Sequence, residues 1–219
     1  MAFQRAYLDE GTNLIYNLLF CDDLSLFADS AKHSPTLKRL FDGAQDEAAL
    51  RAIAEDAKIA TRYRLLAFHQ LRVLGKPVGD PVLLGVIVEA PMDQGRDTLA
   101  AYADGSARYI NQTGKMTLVD APVPLFAEKV RDLLAESAKM AGHLKPYRAE
   151  RLEPPRQGGA TRITFLLTDG PRVGERPMNE IMTDSIGEPV IRAAAVLLDA
   201  VVELTLGVRE GEAAALRKT

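Results

Sequence analysis

The order of apolar and polar residues changes period twice along the chain. Through the first third, apolar positions return every three or four residues, the spacing that lines one face of an α-helix. Leu14, Ile15, Leu18 and Leu19 form a short first stripe, with Thr12 as its candidate cap and Cys21-Asp22-Asp23 as its break. Ser34 followed by Pro35 predicts a second helix, with proline in its first turn and Gly43 at its end. Asp46 is the candidate cap of a third stretch. There Leu50, Ile53 and Ala57, then Leu65, Phe68 and Leu71, keep helical spacing up to Gly75. Residues 47–74 are long enough to be two helices, broken near Thr61.

Beyond a turn-rich connector at 76–81 the period shortens. Residues 82–88 are almost continuously apolar and β-branched, the pattern of a strand buried on both faces. Residues 97–111 read as a hairpin around Asp104-Gly105, a pair favoured in two-residue type I′ turns because both positions need positive φ. Gln112-Thr113-Gly114 makes the next turn and residues 115–119 the next strand. With a two-residue first turn, Leu99 stands opposite Ile110 and Ala100 opposite Tyr109. Leu99, Ala101, Ile110, Met116 and Leu118 then share the core face with Arg108. Thr98, Ala100, Tyr102, Tyr109, Asn111, Lys115 and Thr117 share the other.

Helical spacing returns over 124–142, where Leu125, Val130, Leu133, Leu134 and Ala138 form the stripe. Residues 145–159 carry Pro154-Pro155 and Gly158-Gly159 and read as a linker. A strand at 163–167 ends at Asp169-Gly170, and another runs through Arg172-Val173-Gly174. The last helix has Pro189 in its first turn and runs to about Leu206, apolar except for Arg192, Asp199 and Glu203. The charged, alanine-rich residues 209–219 are expected to fray. Segregated helical and strand blocks predict an α+β fold: an antiparallel β-meander of about five to six strands packed by helices. The expected single domain, 1–219, has a helical N-terminal part at 1–75 and a sheet with its packing helices at 82–207.

Composition narrows the function classes. The 219 residues are 47% hydrophobic and 26% charged, the balance of a globular chain. The net charge of -3, with both signs mixed and no basic stripe, argues against nucleic-acid binding. One cysteine excludes an internal disulfide and fits a reducing compartment. The first residues lack the apolar core of a signal peptide, and the most apolar run, 190–206, is interrupted by three charges. A cytoplasmic protein with no membrane partner and no cofactor is expected. Its nearly all-apolar last helix suits a homodimer interface.

Two candidate sites emerge. The first is the sheet face bearing Tyr102, Tyr109, Asn111 and Lys115, where tyrosines offer large contact area with a hydrogen-bonding tip, as at protein interfaces. This is the leading reading: a non-enzymatic binding or protein-interaction protein. If the N-terminal helices cover that face, its tyrosines are core instead. The second is Cys21, Asp22, Asp23 and His69, which a small-molecule hydrolase or transferase would gather from separate loops as nucleophile, acids and base. No His has a partner at a recognised zinc spacing, and the acid pairs Asp93 and Asp97, or Asp22 and Asp23, which could hold a hard cation, read better as turn residues that cap their own backbone, so no metal is expected; neither a phosphate loop nor a nucleophile elbow is present.

Three segments resemble a bacterial protein family of unknown function. They are Tyr16-Asn17-Leu18-Leu19-Phe20-Cys21-Asp22-Asp23, Leu83-Leu84-Gly85-Val86-Ile87-Val88-Glu89, and residues 97–111, which open Asp97-Thr98-Leu99-Ala100-Ala101-Tyr102 and close Arg108-Tyr109-Ile110-Asn111. The resemblance implies a bacterial cytoplasmic origin and brings no activity, cofactor or catalytic residue with it.

Overall fold

A computed structural model describes residues 3–120, 124–148, 150–156 and 158–216. Short helices fill the first third: α1 (Glu10–Leu18), α2 (Ala28–Ala31), α3 (Pro35–Asp42), α4 (Glu47–Ala54) and α5 (Thr61–Val73). Six strands follow, β1 (Leu83–Met92), β2 (Gly95–Tyr102), β3 (Ala107–Ile110), β4 (Met116–Val119), β5 (Thr161–Leu167) and β6 (Gly170–Arg176). Helix α6 (Pro124–Gly142) separates β4 from β5, and α7 (Met178–Ile181) and α8 (Gly187–Leu216) close the chain. The fold is α+β, with one antiparallel sheet in the order β4-β3-β2-β1-β5-β6. No helix among the described residues is long and apolar enough to cross a membrane.

Local chemistry sets the helix ends. Asp9, not Thr12, caps α1: its Oδ1 accepts the Thr12 backbone N–H at 2.8 Å and the Thr12 hydroxyl at 3.0 Å. Ser34 caps α3 and Asp46 caps α4 as the sequence predicts. The long helical stretch does break before Thr61. Helix α5 ends with Gly75 at φ +67°, where the Gly75 and Lys76 N–H groups donate back to the Arg72 and Leu71 carbonyls. Helix α8 passes the predicted stop at Leu206 and reaches Leu216. The last three residues of the expected frayed tail lie outside the described residues. Of the stripe predicted for α6, Val130 and Leu133 are fully buried.

Both faces of the sheet are covered. Val86, Val88, Leu99, Ala101, Ala107, Ile163 and Phe165 pack under α6 and α8. Ile87, Ala100, Tyr102, Ile110 and Leu166 pack under the N-terminal helices, against Tyr16, Leu19, Leu66 and Leu71. Gly85 permits this closeness, because a Cβ there would lie 3.0 Å from Tyr102 Cδ1 and 3.2 Å from the Ala101 carbonyl oxygen.

The first hairpin differs from its predicted register by one residue. Tyr102 N–H donates to the Ser106 carbonyl, so the turn holds three residues, with Gly105 at φ +83°. Leu99 therefore pairs with Tyr109 and Thr98 with Ile110. Asp104 explains the extra residue: its Oδ1 accepts the Ser106 N–H and hydroxyl, while its Oδ2 accepts the Thr61 N–H at 2.7 Å. A one-residue slip exchanges faces. Tyr102 and Tyr109, predicted on one face, lie on opposite faces, and Ile110 and Arg108 move with the slip to the side of the N-terminal helices. The second turn keeps its predicted register, with Ile110 opposite Met116.

Candidate functional site

A cavity of about 520 Å³ lies where α5 meets the β5–β6 side of the sheet. Its volume falls in the range of small-molecule sites, roughly 300–1,000 Å³. The floor comes from β5, whose alternation turns Arg162, Thr164 and Leu166 toward the N-terminal layer and Ile163 and Phe165 toward α6 and α8. One wall is a face of α5 formed by Leu65, His69, Arg72 and Val73, at helical spacing, continued by Lys76 past the helix end. Phe20, Cys21 and Asp22, which follow α1, make the back. Residues 146–148, Arg151 and Leu152 pass over the β6 side as a strap, anchored where Tyr147 N–H donates to the Pro171 carbonyl at 2.7 Å.

The two ends of the cavity differ electrostatically. At the Arg162 end both Arg162 and Arg151 have acidic partners. Arg162 Nε donates to Glu175 Oε2 at 2.7 Å and Nη1 to the Glu153 carbonyl at 2.7 Å, and Glu89 Oε2 is 4.0 Å away. Arg151 pairs with Asp22 at 3.3 Å, bonds the Asn17 side chain and lies over the Phe20 ring at 4.3 Å. Glu89 is wholly buried. Its Oε1 accepts the Tyr16 hydroxyl at 2.7 Å and its Oε2 has no hydrogen-bond partner. Burial raises the Glu89 carboxyl above its ordinary value, against the Tyr16 hydrogen bond and the Arg162 charge. Burial also raises Asp22, against Arg151.

At the opposite end Arg72 is a half-buried cation with only neutral partners. Nη1 donates to the Thr168 carbonyl at 2.7 Å, Nη2 lies 3.4 Å from His69 Nδ1, and among the described residues the guanidinium makes no ion pair. Burial lowers its pKa, only partly opposed by the fields of Asp169 and Asp22. The nearby acid Asp169 pairs with Arg172 through Oδ2 at 3.1 Å, and its buried Oδ1 has no hydrogen-bond partner. His69 is pushed down to about 4 by burial and by Arg72, so it is neutral at pH 7. Between the two ends Thr164 is buried, and its hydroxyl makes no hydrogen bond among the described residues.

Of the residues singled out by sequence, the structure brings Cys21, Asp22 and His69 to this one cavity. Asp23 is elsewhere, capping the 3₁₀ turn Leu24–Phe27 through Ser25. Cys21 is poorly set up as a nucleophile. Burial pushes its thiol up to about 12, and Sγ points at the Leu18 and Leu19 carbonyls, 3.6 Å away. Its backbone holds a left-handed φ of +52°, a conformation non-glycine residues seldom adopt. Tyr102 is fully buried, with its hydroxyl on the Leu19 carbonyl at 2.8 Å. Tyr109 is half-buried on the α6–α8 face and donates to Asp97 Oδ2 at 2.8 Å. Asn111 Oδ1 is occupied by the Thr113 and Lys115 N–H groups of its own turn, and Lys115 is exposed. Sequence reasoning missed Arg72, Arg151, Arg162 and Thr164. The available signal was Arg162-Ile163-Thr164, a charge and a hydroxyl alternating into a strand that continues as the apolar run Phe165-Leu166-Leu167.

Among the described residues no group of three His, Cys, Asp or Glu side chains is placed to hold a metal ion. Neither a protein-family model nor a curated protein matches the chain.

Proposed function

We propose that the protein binds a small anionic molecule, non-covalently, in the cavity between α5 and β5. The observation that carries this reading is Arg72. A guanidinium withdrawn from water costs free energy unless an opposite charge meets it, and here its protein partners are a carbonyl and a neutral ring. A bound carboxylate or phosphate would supply the missing charge through paired N–H···O bonds. The same cavity favours binding over covalent chemistry, since the Cys21 thiol is protonated at neutral pH and His69 is too weak a base to activate it.

A thermal-shift panel of small carboxylates, phosphate esters and their uncharged analogues tests this. Anionic members should raise Tm in the wild type and lose that effect in Arg72→Gln. Equal stabilisation of both proteins would move the site elsewhere.

A protein-interaction role rests on a different observation. Met116 and Leu118 of edge strand β4 are 42% and 49% exposed, beside exposed Lys115 and just past the turn that opens at Asn111. An open edge with apolar side chains pairs readily with another chain. Light scattering on wild type and Leu118→Lys tests the homodimer form of this idea. A dimer lost in the variant supports it, and two monomers sink it.

A further inference from the structure

The charge balance of the cavity narrows the class of ligand. Arg151 is matched by Asp22, Arg162 by Glu175 with Glu89 beyond it, and Lys76 by Glu47 at 2.9 Å. Arg148, on the strap, is exposed and already solvated. That leaves Arg72, among the described residues, as the partly buried lining cation without an ion pair. A ligand carrying one negative charge neutralises it. A phosphate monoester, carrying close to two, leaves a surplus negative charge in a site that already holds Asp169 and, at its far end, Asp22.

Apolar side chains line much of the remaining cavity. Leu166 and Val173 on the floor, with Leu65 and Phe20 on the walls, separate Arg72 from the balanced Arg162 end. Arg72 is tied to Thr168, just past the end of β5, whereas Arg162 stands near its start. At ~3.3 Å per residue, the strand between them spans on the order of 20 Å. Apolar lining along that strand favours a ligand with an apolar chain or ring beside its charge over a compact polar molecule.

We propose that the ligand is a monocarboxylate with an extended apolar body, its carboxylate on Arg72 and its body along Leu65, Leu166 and Val173 toward Thr164. This rests on the reading of the cavity as an anion site and adds the charge and shape of the anion.

Calorimetric titration of the full chain with four probes, each kept below its micelle concentration or solubility limit, tests it: decanoate, decyl phosphate, decan-1-ol and acetate. Decanoate should bind at least about tenfold more tightly than decyl phosphate or decanol, with acetate undetectable. Arg72→Gln, its fold checked by circular dichroism, should lose most of the preference for decanoate over decanol, and Arg148→Gln should keep it. Decyl phosphate binding as tightly as decanoate overturns the monoanion inference and leaves the anion site standing. Decanol binding as tightly as decanoate overturns carboxylate recognition. If no anionic probe binds, the anion-site reading falls as well. Should Arg72→Gln not fold, the ranking of the four probes on the wild type still decides.

Discussion

At the residue scale, the buried polar groups carry the most consequence. His69 is held neutral by burial and by Arg72, so its folded pKa, about 4, lies below its ordinary 6.5. Between those values the unfolded chain binds more protons than the folded one, and stability contributed by neutral His69 is lost as pH falls from 6.5 toward 4. Glu89 and Asp22 act in the opposite sense, because burial raises them and their protonation on acidification favours the fold. The His69 effect is therefore read as a difference. His69→Gln should gain Tm relative to wild type as the buffer moves from pH 7.5 to 4.5. Parallel Tm curves for the two proteins would show that His69 titrates as an ordinary histidine. Tyr102 and Tyr109 separate just as sharply. Tyr102→Ala empties a fully buried site and removes the hydroxyl's hydrogen bond to the Leu19 carbonyl, so a loss of about 3–5 kcal/mol is expected in urea unfolding. Tyr109→Ala, at a half-buried site, should cost clearly less. Equal losses would contradict the assignment of the two rings to different faces and depths.

At the element scale, packing distances decide. Strand β1 crosses the centre of the sheet, paired with β2 on one side and β5 on the other, with a register shift between Leu83 and Gly85. Gly85→Ala places a methyl against Tyr102 Cδ1 and the Ala101 carbonyl, where there is room only after the strands move apart. A cost of roughly 1–3 kcal/mol is expected, measured by the urea midpoint. A neutral or stabilising result would show that β1 and β2 are less tightly apposed. This scale also shows what the sequence made legible. Helix ends marked by short-range chemistry, such as Ser34-Pro35, Asp46 and Gly75, were readable because cap and glycine geometry is decided within a few residues. The Asp104-Gly105 hairpin was readable as a hairpin but not in register. The extra turn residue depends on Asp104 reaching Thr61, a contact spanning 43 residues that no local pattern encodes. The cavity was hidden for the same reason. Its cations come from α5, the strap and β5, and each alone looks like an ordinary charged residue near an element end.

At the scale of the whole molecule, the helical N-terminal part and the sheet share one apolar layer. Tyr16, Leu19, Leu66 and Leu71 lie in the same cluster as Ile87, Tyr102 and Ile110. Polar contacts join them too: Gln4 Nε2 donates to the Arg151 and Leu152 carbonyls, and the Tyr7 hydroxyl lies 2.7 Å from Thr98 Oγ1. Removing either part would expose a large apolar surface, so residues 1–75 and 82–207 should unfold together. The reactivity of buried Cys21, which reports on the N-terminal layer, and far-UV circular dichroism should give coincident urea transitions. Separate midpoints would divide the chain into independent units. The cavity depends on this union, since one wall belongs to α5 and the floor to β5.

The most direct test of the anion site is to watch Arg72 itself. Arginine Nε–Hε resonances, assigned through Arg72→Lys, can be followed by NMR while decanoate is titrated into the 219-residue protein. A saturable shift of the Arg72 signal, with smaller shifts at Leu65, Leu166 and Val173 methyls and none at β4, is the predicted result. An Arg72 signal that stays still while other arginines or the β4 edge respond would contradict the assignment of this cavity as the protein's binding site.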